Sequence, residues 1–184
     1  RAAGLKSIVG AELCHDVHRA VLLAKTPEGY ANLCRLLSAR HCDASFHFIE
    51  SVAQHRAGLV IVSDDGPALR AWRDASHDDL YVELTLGPHL HHAVALSRQL
   101  GLPPVATTRA AFLHPADFQV HRLLRAIAGN TTLSRLPAED CASPLHWLMP
   151  TQTLARALPH VPEALTNTRR IAEQCQTEWD FKET

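Results

Sequence analysis

Arg19–Leu37 reads RAVLLAKTPEGYANLCRLL, and this stretch sets the fold class. Arg19–Lys25 is a short apolar run without polar alternation, the pattern of a strand buried on both faces. Thr26-Pro27-Glu28 then supplies a helix start, with Thr as the side-chain cap and Pro at the first helical position. Tyr30, Leu33, Cys34, Leu36 and Leu37 follow at helical spacing and predict one apolar face. A strand passing directly into an amphipathic helix is the building unit of α/β folds.

The same alternation recurs on both sides. Ser7–Leu13 (SIVGAEL), Gly58–Ser63 (GLVIVS), Leu80–Leu84 (LYVEL) and Pro104–Thr107 (PVAT) read as further strands. Pro67–Ala75 and Pro88–Leu100 read as helices that start on proline, the second stopped by Gly101. His114–Asp117 opens another helix, with Phe118, His121, Leu124 and Ile127 or Ala128 expected inward and Arg122 and Arg125 outward. Strands separated by helices predict parallel βαβ units, in an open sheet or a barrel. After Gly129 the composition shifts to Pro, Ser and Thr, and Thr151–Leu158 and Pro162–Cys175 then read as two helices. Residues 1–129 are therefore expected to form the α/β body, and residues 130–184 a linker and helical extension.

Composition narrows the function. The 184 residues suffice for one domain with a real core, or a domain with an appendage. Eighteen Lys plus Arg against 19 Asp plus Glu leave a net charge of −1, so bulk charge gives no argument for nucleic-acid binding. No apolar run approaches the roughly 18 residues of a membrane span, and no basic-then-apolar leader opens the chain. Five scattered cysteines without a CxxC pair argue against a disulfide framework or zinc knuckle, and fit the reducing cytoplasm. The chain opens on Arg1 rather than Met, as a piece of something longer would, and it holds 13 histidines, which invite a metal hypothesis.

Taken in order, several stretches resemble the PHP (polymerase and histidinol phosphatase) domain at the front of bacterial DNA polymerase III alpha subunits. Ala20–Ser38 (AVLLAKTPEGYANLCRLLS) is similar to that family's strand, "LLAK" turn and "GYxNLCRLL" helix. Gly10-Ala11-Glu12 resembles its "GxE" strand, Gly58–Ser63 its "GLIxLS" and Leu80–Leu84 its "LYLEL". Leu102–Leu113 (LPPVATTRAAFL) resembles "LPxVATNDVHxL", Pro115–Ile127 the "PxD…AHxxLxAI" helix, and Pro162–Cys175 (PEALTNTRRIAEQC) the "PEAxxNTxxIAExC" helix. The resemblance implies a distorted (β/α) PHP-type barrel, incomplete at its N-terminal strands, with the helical extension leading toward a polymerase palm. It also implies a parent that synthesises DNA, with palm and thumb as partners, DNA reached through that parent, and no membrane.

The family's complete site holds two or three zinc or manganese ions on His, Asp, Glu and Cys ligands, a centre suited to phosphoester hydrolysis. Here the pattern is broken. The "HxH" and "DH" motifs precede the "GxE" strand, and the nine residues before Gly10 contain neither His nor Asp, so those donors lie upstream of Arg1 or are missing. The Cys of "LSGC" falls on Asp65, and the Asp and His of "NDVH" on Arg109 and Ala111. Arg19 stands where the family's strand histidine aligns, and His18, one position early, should point to the opposite face. An arginine in a carboxylate's place removes a ligand and adds repulsion for a dication. The remnant metal positions are Glu12 and Asp65, with His18 a further candidate, and no cofactor is expected in this segment. For Glu12 a buried pairing with an arginine such as Arg109 is weighed against a ligand role, and favoured.

Other signals read as structure. Asp64-Asp65-Gly66 suits a turn or helix cap. His89, His91 and His92 lie in a surface helix turn without a third donor, His15 and His18 in a loop, and His121 on an apolar helix face. Cys34 and Cys175 read as core. The leading expectation is a structural, non-catalytic domain of a bacterial DNA polymerase III alpha chain, involved in DNA replication. The alternative is a metal-dependent phosphoesterase or 3'-5' exonuclease whose first ligands lie upstream. An open strand edge near Ser7–Leu13 is also expected, and open edges favour pairing with another chain.

Overall fold

Five strands lie side by side in chain order in one mixed sheet: β1 (Gly10–His15), β2 (His18–Ala24), β3 (Leu59–Ser63), β4 (Leu80–Leu84) and β5 (Pro104–Ala106). The computed structural model describes residues 6–175. Among them the helices are α1 (Pro27–Cys42), α2 (Phe48–Gln54), α3 (Gly66–Ala75), α4 (Leu90–Leu100), α5 (Phe118–Ala128), α6 (Thr151–Ala157) and α7 (Glu163–Gln174).

Parallel pairing holds only for β3, β4 and β5. β1 and β2 form an antiparallel hairpin closed by Asp16-Val17, with Asp16 at φ 54, a left-handed turn position that Asp tolerates. β2 and β3 are also antiparallel, with Ala24 opposite Leu59, because α1 and α2 return the chain to the end where β2 stopped. The α/β class is therefore seen, but the parallel pairing expected of strands separated by helices fails between β2 and β3, where two helices intervene in place of a single crossover.

Among the described residues the sheet is not closed. Ala24 N–H donates to Val9 C=O at 2.8 Å, and this phase turns the backbone groups of Gly10, Glu12 and Cys14 away from β2, toward the outer edge. One of them is capped, since Arg40 Nε donates to Cys14 C=O at 2.8 Å. At the other edge α7 covers β5: Asn167 Nδ2 donates to Pro104 C=O and Thr168 Oγ1 to Ala106 C=O, both at 2.8 Å.

Strand alternation creates two packed faces. On one, Leu22, Leu59, Ile61, Leu80 and Leu84 meet α1–α4, with Trp72 and Leu36 fully buried. Leu154, Leu158, Val161 and Ala164 join that core, so α6 and α7 pack on the α/β body. On the other face, Val60, Val62, Tyr81 and Val105 pack against Ile171 and Cys175. Thr26 caps α1 by accepting from Gly29 N–H at 3.1 Å. Gly29 lies so close to Gly58 that a Cβ there would sit 1.9 Å from the Gly58 carbonyl oxygen.

Three local expectations are corrected. The buried stripe of α1 is Gly29, Asn32, Leu33 and Leu36, which leaves Cys34 exposed. Asn32 can replace it inside because its Nδ2 donates to Ala57 C=O at 2.9 Å. Helix α2 was not anticipated, since His47 gives it no side-chain cap, and Phe48 and Val52 hold it by burial. In α5 only Ala126 is buried, while Leu124 is 59% and Ile127 65% exposed, opposite to the inward placement expected for them. Among the described residues no helix is long and apolar enough to cross a membrane.

Candidate functional site

At the end of the sheet where β3, β4 and β5 finish and β2 begins, five charged side chains interlock: Glu12, Arg19, Asp64, Glu83 and Arg109. The carboxyl ends of parallel strands are where α/β proteins place their sites. Glu83 enters from β4 and Arg19 from β2, Thr107 directly follows β5, and Arg109 comes two residues later from the loop. Arg109 has φ 43, a left-handed conformation that disfavours a side chain.

Glu83 is 2% exposed, so its charge requires partners. Its Oε2 accepts from Arg19 Nη1 at 2.5 Å, from Arg109 Nη2 at 2.6 Å and from Arg109 Nε at 3.1 Å. Its Oε1 accepts from the Thr107 hydroxyl at 2.6 Å. Arg109 Nη2 also meets Asp64 at 2.8 Å, and Arg19 Nε bonds Glu12. Burial pushes the Glu83 carboxyl up, but the Arg109 hydrogen bonds, the two guanidinium charges and the Thr107 hydroxyl outweigh it and hold it below the usual carboxylate range. Arg19 is held above its ordinary value: burial alone would lower it, and Glu83 and Glu12 more than reverse that.

The cluster floors an open cleft of about 590 Å³ lined by Glu12, Arg19, Glu83, Thr107, Arg109 and His146. Burial, and next the Arg109 charge, lower the His146 imidazole and favour its neutral form.

The two remnant positions do not come together. Glu12 does pair with an arginine, but with Arg19 rather than Arg109, and its side chain is 55% exposed, so the expectation of a buried pair is corrected. The reason is positional: Glu12 lies on the edge strand β1, whereas Glu83 lies in β4, next to the Arg109 loop. Asp65 sits instead at the start of α3, where its Oδ1 accepts from Ala68 N–H at 3.1 Å and its Oδ2 meets His18 Nδ1 at 2.6 Å. His18 stacks on Phe48 of α2, on the helical side of the sheet, while its neighbour Arg19 faces the cleft. Among the described residues no three His, Cys, Asp or Glu side chains converge as a metal-binding group. His89, His91 and His92 are exposed, and His121 Nε2 accepts from Ala142 N–H at 2.9 Å.

Glu83 was missed by sequence reasoning. Its signal was a single carboxylate in LYVEL, a strand whose five residues are all buried.

No family model matches the chain. It is 29% identical over 208 aligned residues to the DNA polymerase III subunit alpha of Pasteurella multocida, which covers 95% of this chain and 18% of the relative. The corresponding protein of Haemophilus influenzae is 28% identical with the same coverage, and that of Pseudomonas aeruginosa 29% identical over 96% of this chain and 18% of the relative. Over nearly its whole length, the chain is thus similar to a stretch of bacterial DNA polymerase III alpha subunits that makes up 18% of those relatives.

Proposed function

We propose that this chain is a PHP-type segment of a bacterial DNA polymerase III alpha subunit acting in DNA replication, and that it braces the polymerase rather than hydrolysing phosphoesters itself. The similarity to alpha subunits along 95% of the chain supports the parent, and the open α/β sheet is compatible with part of a distorted barrel. In this reading residues 1–129 are the barrel body and residues 130–184 the extension toward the palm.

One observation carries the structural role: two guanidiniums converge on the buried carboxylate of Glu83. A cluster of zinc or manganese ions needs several free anionic and imidazole donors, and here the carboxylates Glu12, Asp64 and Glu83 are engaged by arginines instead, which leaves His146 alone. The donor set does not fit such a cluster, and the ion-pair network serves as its substitute in holding β1, β2, β4 and the Arg109 loop together. Glu12 and Asp65 are remnant ligand positions with new tasks, one pairing Arg19 and the other capping α3.

The test uses the polypeptide that contains this segment, assayed for DNA synthesis and, separately, for zinc- or manganese-dependent cleavage of a DNA 3' end. DNA synthesis is expected, with no cleavage sensitive to Glu12→Ala plus Asp65→Ala. Metal-dependent cleavage abolished by those two substitutions would overturn the structural role and establish the hydrolase alternative. Within the segment itself, Arg109→Asp with Ala111→His is expected not to create cleavage, because too few donors remain.

A further inference from the structure

At the opposite end of the sheet from the Glu83 cleft, where β4 and β5 begin and β2 ends, lies another pocket, polar and of about 490 Å³. Lys25, Asp78, Asp79, Tyr81, Arg170 and Gln174 line it. Its volume is that of a small-molecule site.

Both walls are fixed by hydrogen bonds. Arg56 holds the loop before β4, its guanidinium donating to Trp72 C=O at 2.8 Å, Ser76 C=O at 3.1 Å and Asp78 C=O at 2.7 Å. Asp79 C=O accepts from Ile61 N–H at 2.8 Å, and the Asp79 carboxylate pairs with Lys25. The other wall belongs to α7, which Asn167 and Thr168 bind to β5. Near the end of α7, Lys6 Nζ donates to the Ala172 and Glu173 carbonyls at 2.9 and 3.1 Å.

Between these walls three polar groups have nothing to bond. Tyr81 is 4% exposed, yet among the described residues its hydroxyl makes no hydrogen bond, and Arg170 makes neither a hydrogen bond nor an ion pair. The side-chain oxygen of Gln174 is buried without a partner. Buried polar groups are nearly always matched, so each exception calls for a reason. Packing against Val60, Val62 and Ile171 accounts for the Tyr81 ring but not for its hydroxyl. The charges of Arg170, Asp79 and Lys25 all act on that hydroxyl, which places it at the pocket. Burial raises it above its ordinary value, against the opposing Arg170 charge, so it is a protonated donor at neutral pH.

The charges lining the pocket balance, Lys25 and Arg170 against Asp78 and Asp79, so a lone anion or cation gains no net attraction there. We propose that this pocket binds a small zwitterion, whose carboxylate accepts from the Tyr81 hydroxyl and the Arg170 guanidinium and whose ammonium group donates to Asp78 and the Gln174 side-chain oxygen. Such a ligand supplies an acceptor to both unmatched donors and a donor to the unmatched acceptor, and a carboxylate fits the guanidinium fork.

The experiment uses the full polypeptide containing this segment and saturation-transfer NMR, which observes the small molecule. The probes are glycine, 3-aminopropanoate, 4-aminobutanoate and 5-aminopentanoate, with butanoate and butylamine as single-charge controls. At least one amino acid should bind saturably, about fivefold or more tighter than either control, and Tyr81→Phe and Arg170→Ala should each weaken it about tenfold. Tyr81→Phe should leave Tm unchanged, because the lost hydroxyl bonds nothing in the protein; a clear fall in Tm would give that hydroxyl a structural task and overturn the proposal. Butanoate or butylamine binding as tightly as the amino acids would refute the zwitterion, and binding indifferent to both substitutions would refute the site. So would no binding by any probe at about 20 mM, enough to saturate a site with a Kd of about 1 mM. Should a variant fail to fold, the unsubstituted polypeptide decides: preference for an amino acid over both controls supports the site, and its absence refutes it.

Discussion

Replacing Glu83 by Gln isolates the electrostatic core of the site with little change of volume. The carboxylate accepts three hydrogen bonds from two guanidiniums and one from Thr107, and it is 2% exposed. A neutral amide would aim either a weaker acceptor or an N–H at those cations. Removing one partner of a buried ion pair costs about 3–5 kcal/mol. The arginine side chains are 20% and 23% exposed and keep Glu12 and Asp64, which places the loss near the lower end of that range. For a chain of this size, about 3 kcal/mol corresponds to roughly 6–12 °C in Tm. Arg109→Ala should cost less, about 1–2 kcal/mol, because Glu83 keeps Arg19 and Thr107. Thermal and urea denaturation of the wild type and both variants measure the order. A Glu83→Gln protein within about 2 °C of wild type, or less affected than Arg109→Ala, would refute the idea that this carboxylate anchors the cluster.

Arg109→Gly should be more stable than Arg109→Ala by about 1 kcal/mol in urea unfolding, because both lose the ion pairs but only glycine relieves the left-handed backbone. Gly29→Ala should destabilise by about 1–3 kcal/mol, since the new methyl would collide with the Gly58 carbonyl and part α1 from the loop before β3; an unchanged urea midpoint would contradict that contact. The Glu83 carboxyl is held low in the fold, so the unfolded chain takes up its proton first. Its stabilisation is present above about pH 4.5 and disappears as pH falls through the depressed folded value, a slope that Glu83→Gln should flatten in pH-dependent melts. His146 is also held low, so acidification from about pH 6.5 downward should cost stability, and His146→Gln should remove that part of the curve.

What was legible in the sequence follows the strength of the local signal. Thr26-Pro27 located the first residues of α1, and apolar runs located β2 through β5 to within a residue or two, because capping and burial on both faces leave local marks. The handedness of pairing was not legible, since it depends on how α1 and α2 return the chain. Helix α2 has no cap to announce it. Arg109 reads from the sequence as a cation in an acidic position, with Glu12 weighed as one carboxylate it could pair with; the proximity of Glu83 arises from strand order, which sequence separation does not reveal. The exposed face of α5 was read as core because periodicity records that a helix has an apolar side, not what covers it.

In the reading proposed above, guanidiniums occupy the place where a metal centre would need its donors. An anomalous difference map from crystals of this protein grown with zinc or manganese tests it directly. Arg19 and Arg109 are expected to sit on Glu83, with no ion peak among Glu12, Asp64 and Glu83. Two or more strong peaks there, with the Arg109 side chain swung out of the cleft, would contradict it.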